Sequence, residues 1–354
     1  MRGFDLQKFS RCISCAADFT SPSTVAPLEM LAHEKDKPMI EIKNLTKRYG
    51  GFLAVDDLSF SVAAGEVLGF LGPNGAGKST TMKMIAGFLS PTSGSVKVAG
   101  FDIEQAPMQA KQALGYLPEG APAYGEMTPN RFLNFIGDLR QMDGAKKKSR
   151  IGTVVEQLGL QKVLEQPIET LSKGFKRRVG IAQAILHDPK VLILDEPTDG
   201  LDPNQKDEVR NLISGMAKDK LIIVSTHILE EVHAVCTRAI IIAGGKLLAD
   251  ETPEKLEARS RYHGAVSLRA DNSEVVKTAL EAVTGVQAVE TGRDGSLTAI
   301  AKTGASIFAP INALIQSQNF VVHDLALERG RMDEVFRTIT NFSGVTTAKS
   351  GARS

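Results

Sequence analysis

The nine residues Gly72-Pro73-Asn74-Gly75-Ala76-Gly77-Lys78-Ser79-Thr80 constrain this chain more than any other stretch. They match the spacing G-x-x-x-x-G-K-[ST] and follow Val67-Leu-Gly-Phe-Leu71, a short apolar run that reads as a buried strand. A strand, a glycine loop and then a helix is the context this spacing needs. The glycines let backbone N–H groups curl around a phosphate. The helix dipole and Lys78 place positive charge where phosphate charge gathers. Ser79 Oγ is placed to ligate Mg²⁺. Without the strand and helix, the same residues would be a glycine-rich turn with an incidental lysine.

Other segments say what sheet this loop belongs to. Val191-Leu-Ile-Leu194 is a bare apolar run ending at Asp195, and Leu221-Ile-Ile-Val-Ser225 repeats the design before His227. Between them and the loop, Asn130–Gln141, Lys147–Leu158 and Lys176–His187 carry apolar residues at helical spacing. Bare strands alternating with helices imply a mainly parallel sheet covered on both faces. Ile40–Leu45 and Leu58–Val62 alternate instead, as half-buried strands of an antiparallel portion do. Asp195 and Glu196 at a strand end form a carboxylate pair. The first suits Mg²⁺ or its water shell, and the second suits polarising a water for attack on a γ-phosphate.

After Arg261 the pattern resets to strand, helix, strand, strand, helix, strand, with the strands near 265–269, 286–290, 297–302 and 320–326 and a last helix at 332–339. That order is the split-βαβ layout of a small α+β, ferredoxin-like domain. The 354 residues suffice for one large domain and a small one. A formal charge of +1 leaves no overall electrostatic footprint for nucleic acid. No stretch approaches the roughly eighteen consecutive apolar residues of a membrane span. Residues 1–37 read as an extension expected to be disordered, with Met30 and Met39 as alternative starts. Its Cys12-x-x-Cys15 has no second ligand pair, and Cys236 leaves the cysteine number odd, so no disulfide framework is expected. The end of the chain, 342–354, small and polar over Ser343–Ser354, is expected to form a disordered tail.

Leu171-Ser172-Lys173-Gly174-Phe175 poses a separate question, because a second serine–glycine turn opens a second helix, again a phosphate-shaped feature. With this stretch included, the chain resembles the ATP-binding subunit of an ABC transporter over about residues 39–258. Six elements stand in the family's order. Gly72–Thr80 is similar to the Walker A loop and Val191–Glu196 to Walker B with its catalytic glutamate. Residues 171–175 are similar to the signature loop, usually Leu-Ser-Gly-Gly-Gln. Gly200-Leu201-Asp202 is similar to the D-loop and Ser225-Thr226-His227 to the switch-histidine loop. Tyr49 matches the aromatic that stacks on adenine.

The resemblance implies a P-loop NTPase core of the ABC ATPase type over 38–258, with a helical subdomain inserted at about 116–187 and the small α+β domain at 262–341. It implies ATP and Mg²⁺ as cofactors, with Glu196 and His227 catalytic and Ser79, Asp195 and Glu119 at the metal. Ser172, Lys173 and Gly174 would cap the γ-phosphate of a nucleotide held by a second ATPase subunit, in a homodimer or pseudo-symmetric pair. Asp202 would belong to the D-loop. The implied partners are separate integral membrane permease subunits, the place is the cytoplasmic face of the membrane, and no nucleic acid partner is expected.

Two departures stand out. The family's loop into the helical subdomain usually presents a glutamine, and Gly115-Tyr-Leu-Pro-Glu119 presents Glu119 instead, a third carboxylate near the metal. The signature carries Lys173 and Phe175. Both resemble the ABC-2 type exporter branch, including gliding-motility and multidrug or natural-product export ATPases. Gly120–Asn134, with Tyr124, Met127 and Phe132, is the expected contact for the membrane partner. The basic run Lys146-Lys147-Lys148 with Arg150 reads as a solvated surface, with anionic lipid as the alternative. A soluble ABC-type ATPase acting on ribosomes or DNA is the alternative function. Ribosome-acting relatives usually carry two cassettes and DNA-repair relatives a long coiled-coil insertion, and neither feature is in this sequence. A P-loop kinase or GTPase switch leaves residues 171–175 and His227 without a role.

Overall fold

Strand β3 (Val67–Leu71), which feeds the glycine loop, is buried along its whole length between β8 (Leu221–Thr226) and β9 (Arg238–Ala243), and it runs parallel to both. The computed structural model describes residues 38–121, 123–218 and 220–342. The sequence expectations for residues 1–37, including Cys12 and Cys15, and for the tail beyond Phe342 lie outside the described residues.

The sheet has the order β10-β9-β3-β8-β7-β6, with β6 (Leu114–Leu117), β7 (Val191–Asp195) and β10 (Lys246–Glu251). Only the β10–β9 edge pair is antiparallel. Every residue of β3, β7 and β8 is buried, which is why these strands read as unbroken apolar runs. A second, antiparallel sheet has the order β2-β1-β4-β5, from β1 (Ile40–Tyr49), β2 (Phe52–Val62), β4 (Ser93–Val98) and β5 (Phe101–Asp102). Helix α1 (Lys78–Ile85) follows the glycine loop, and α2 (Pro107–Ala113) leads into β6.

The inserted helices are α3 (Pro129–Leu139), α4 (Gly144–Gln157) and α5 (Lys173–Ile185). Each starts one to three residues before the apolar periodicity suggests, because a polar cap sets the start. Thr128 Oγ accepts from Arg131 N, Asp143 from Ala145 N and Lys146 N, and Ser172 Oγ from Phe175 N. Half of the basic run is engaged within the chain. Lys147 Nζ lies 2.5 Å from Asp138, and Arg150 donates to the carbonyls of Ile185 and Leu186 at the end of α5. Lys146 and Lys148 are exposed.

Helices α6 (Pro203–Met216), α7 (Leu229–Val235) and α8 (Pro253–Glu257) complete this part of the chain. Beyond it, β11 (Val266–Ala270), β12 (Val286–Thr291), β13 (Leu297–Ala301) and β14 (Val322–Leu327) form an antiparallel sheet of order β12-β13-β11-β14. With α9 (Ser273–Glu281) and α10 (Phe308–Gln318) between its strands, this is a split-βαβ arrangement. Its core includes Val266, Leu268, Val276, Leu280, Leu297 and Ile311. Helix α11 (Met332–Phe342) then returns to the first part, where Met332, Phe336 and Ile339 join its core. Gly330, at φ +123°, makes that return possible, because a Cβ there would lie 2.2 Å from Glu257 O. No helix among the described residues is long and apolar enough to cross a membrane.

His187, just past α5, fastens the helical insertion to β6 by donating from Nε2 to Leu114 O at 3.1 Å, and its buried Nδ1 has no partner. Burial, with Arg140 nearby, pushes the imidazole down to about 4. The folded chain thus holds fewer protons than the unfolded chain, so stability present above about pH 6.5 is lost as pH falls toward 4. Comparing urea midpoints at pH 7 and pH 5 should show a smaller acid loss for His187→Gln than for the wild type.

Candidate functional site

The loop from Gly72 to Thr80 is shaped by close backbone approach. Gly77 caps α1 at φ +102°, and a Cβ on it would lie 2.5 Å from Ala54 O. Ala76 N donates to Pro73 O, and Gly245 N, from the β9–β10 turn, donates to Ala76 O. Lys78 Nζ folds back onto its own loop and donates to Gly72 O at 2.7 Å and Pro73 O at 3.3 Å. Burial lowers the lysine's pKa, and the charges of Glu196, Asp195 and Glu119 oppose that shift.

A cleft of about 360 Å³ opens over the loop. Its wall brings together Asn74, Gly75, Gly77, Lys78, Ser79 and Thr80 with Glu119 and Glu196, as the sequence suggested, and adds Phe52 and Ala54 from β2. Tyr49 is not part of that wall. It is 48% exposed, pairs across the hairpin with Phe52, and has Lys47 Nζ 5.3 Å from its ring centre. Phe52, 63% exposed, is the aromatic that faces the cleft. The signal for it was present in Tyr49-Gly50-Gly51-Phe52, where an aromatic stands on either side of the turn.

Asp195 ends β7 at 1% exposure, and neither of its carboxylate oxygens has a hydrogen-bond partner. Burial raises its pKa. The nearby Ser225 and Ser79 hydroxyls work against that shift, Glu119 adds to it and Lys78 opposes it. Glu196 follows at φ +52°, a left-handed conformation that costs a non-glycine residue energy, and its N–H donates to Ser225 O. Burial raises the Glu196 pKa too, and His227 lowers it, with Nδ1 at 3.0 Å and 2.9 Å from the two Glu196 oxygens. His227, the switch histidine of the resemblance, thus touches Glu196.

The signature residues lie apart from the cleft. Ser172 and Lys173 are exposed, and Ser172 Oγ accepts a bond from its own helix at Phe175 N. Gly174 is buried against α6, where a Cβ would meet Gln205 Oε1 at 2.2 Å. Asp202 caps α6 by accepting from Gln205 N at 2.9 Å. One residue of this helix escaped the sequence reading. Arg177 is 4% exposed, lies 3.8 Å from Asp199, and leaves its buried Nη1 without a partner. A larger cavity, about 690 Å³, lies between the core and the helical insertion, with Phe88, Tyr116, Tyr124, Phe132 and Arg140 on its wall.

Several known proteins are similar to this chain. A family profile described as "ABC transporter" matches residues 55–199. The probable multidrug ABC transporter ATP-binding protein YbhF of Escherichia coli K12 is 38% identical over 240 residues, covering 66% of this chain and 41% of that protein. This chain thus spans well under half the length of that relative. The bacitracin transport ATP-binding protein BcrA of Bacillus licheniformis is 33% identical over 300 residues, 84% of this chain and 96% of that one. A solved structure of the ATP-binding subunit of an ABC transporter superposes with a TM-score of 0.59 at 29% identity, over 62% of this chain and 92% of that chain.

Gly77→Ala should weaken binding of a fluorescent ATP analogue about tenfold or more, since about 1–3 kcal/mol of backbone strain is added before the contact with Ala54 O is counted. Gly51→Ala, with nothing within 4 Å of the new Cβ, should bind like wild type.

Proposed function

This chain belongs to the ABC transporter ATP-binding proteins, and from that premise we propose that it binds and hydrolyses ATP as the energising subunit of an ABC-2 type exporter, acting on separate membrane permease subunits from the cytoplasmic face. The observation that carries this reading is the convergence of Lys78, Ser79, Glu119 and Glu196 on one cleft, with Asp195 buried behind them. Relatives named for multidrug and bacitracin transport support the transport role, and one named for Nod factor export supports the direction.

The residues divide the work as follows. The loop N–H groups and Lys78 hold the phosphates, so Lys78 must leave the Gly72 and Pro73 carbonyls when ATP arrives. Phe52 or Tyr49 stacks on the adenine. Glu196 takes the proton from the attacking water as general base, and His227, in contact with both of its oxygens, holds that carboxylate in place and reaches the γ-phosphate on closure. Ser172 and the N–H groups around Lys173 and Gly174 of a second copy complete the wall, and Asp202 places the D-loop beside it.

The residues fit Mg²⁺. Asp195 brings two buried carboxylate oxygens that make no hydrogen bond of good geometry, with only the Ser79 and Ser225 hydroxyls beside them, and such a pair suits a cation. Among the described residues no three His, Cys, Asp or Glu side chains gather into a metal cluster, which accords with an ion that takes one or two carboxylates and completes its shell with phosphate and water. When bound, Mg²⁺ would neutralise phosphate charge, with Ser79 and Asp195 holding it and Glu119 joining in the closed state. The chain divides into an ATPase domain at 38–258 and a small domain at 262–341. The 690 Å³ cavity, with Tyr124 and Phe132 on its wall and Met127 packed on the adjoining core, receives the permease.

Glu196→Gln keeps the size of the side chain and removes the base. Its steady-state ATPase rate should fall about 100-fold or more, with ATP affinity kept within a few fold. A variant with wild-type turnover would remove Glu196 from the mechanism.

A further inference from the structure

We propose that Glu231 is a positioning residue that holds Glu196 against His227 through two threonine hydroxyls. Glu231 lies in the first turn of α7 and is 3% exposed, whereas its neighbour Glu230 faces water. A carboxylate wanted only for the helix dipole would stay in solvent, as Glu230 does. One wanted only for packing would be served as well or better by a leucine or methionine of similar volume. Among the described residues no lysine, arginine or histidine forms an ion pair with Glu231, so its burial is supported by hydrogen bonds alone.

Those bonds link the two segments that carry the chemistry. Thr198 Oγ donates to Glu231 Oε1, and Thr226 Oγ donates to Glu231 Oε2 at 2.8 Å. Both threonines are buried. Thr198 lies two residues beyond Glu196, and Thr226 immediately precedes His227. Thr226 Oγ also accepts from Ile228 N at 3.0 Å, which fixes the turn that presents His227. With His227 Nδ1 on Glu196, the contacts close a ring that runs Glu196, Thr198, Glu231, Thr226, His227 and back. The left-handed backbone of Glu196 needs such an anchor, because a strained residue persists only where its surroundings over-determine it. Ser225 O holds Glu196 at its N–H, and the Thr198–Glu231 bond holds the segment just after it.

The inference rests on Glu196 and His227 acting in ATP hydrolysis, so its test has one arm that needs turnover and one that does not. In Thr198→Val, one donor is lost with little change of shape. kcat should fall about 10- to 100-fold, with the KM for ATP changed less than about twofold, because the phosphate loop is untouched. Thr198→Ser should restore the rate. Crystal structures of Thr198→Val and Thr226→Val should show the 2.9 Å His227–Glu196 contact broken. If the valine variants do not fold, Glu231→Gln, which keeps shape and one acceptor, should show the same kcat-specific loss. An intact Glu196–His227 contact in the variants overturns the inference whatever the rate. So does a loss of kcat that tracks thermal stability and is not rescued by serine. If the wild-type chain binds ATP without turnover, the ATPase reading fails, and the structures alone then decide: a broken contact supports the positioning role and an intact one refutes it.

Discussion

Asp195 carries a carboxylate whose two oxygens are buried and unmatched, and much of this structure is arranged around it. A buried carboxylate is costly to hold unless it is well paired, and only the Ser79 and Ser225 hydroxyls and the charge of Lys78 favour its ionised form here. Here it stands at the end of a strand whose every residue is buried, so the sheet that gives the chain its stability also drives the acid inward. Glu196 and Glu119 add charge of the same sign, and burial raises the pKa of both Asp195 and Glu196. Lys78 is the compensating charge on the glycine loop, yet its own hydrogen bonds go to loop carbonyls. Such an arrangement spends stability on readiness for a ligand, the usual cost of a preorganised polar site. A Mg²⁺–phosphate ligand is the one that would relieve every member of the set at once.

Burial also explains how much could be read in advance. Strands β3, β7 and β8 were legible because both of their faces are covered, which leaves an apolar run that does not alternate. The C-terminal strands were legible from their order between helical segments. The helix starts were misplaced because Thr128, Asp143 and Ser172 set them by capping, ahead of the first apolar residue. Which aromatic faces the cleft was not legible. Tyr49 and Phe52 are cross-strand partners and so share one face of the sheet, which leaves alternation unable to choose between them.

Arg177 and Glu231 were missed for a related reason. Each is a charged residue on a short or amphipathic helix, where the default place is solvent. Each is buried because of groups far away in sequence, Asp199 for the arginine and Thr198 with Thr226 for the glutamate. Local spacing carries no trace of such partners. Together they show the loop after Glu196 held from two sides, by the signature helix and by the helix after His227. Glu196 and His227, the proposed catalytic pair, are thus tied to the surface on which a second subunit would act.

That surface includes Ser172 at the start of α5. Ser172 satisfies its own helix and stands outside the cleft, so one chain supplies the phosphate loop and carboxylates but not the last wall. On the proposed reading, Ser172 of a second copy would supply that wall. Sedimentation velocity of the Glu196→Gln chain, with and without Mg²⁺–ATP, tests this most directly. The account predicts a monomer without nucleotide, a two-copy species with it, and loss of that species when Ser172→Glu is added. A chain that binds Mg²⁺–ATP tightly and stays monomeric, also with its membrane partner present, would contradict it.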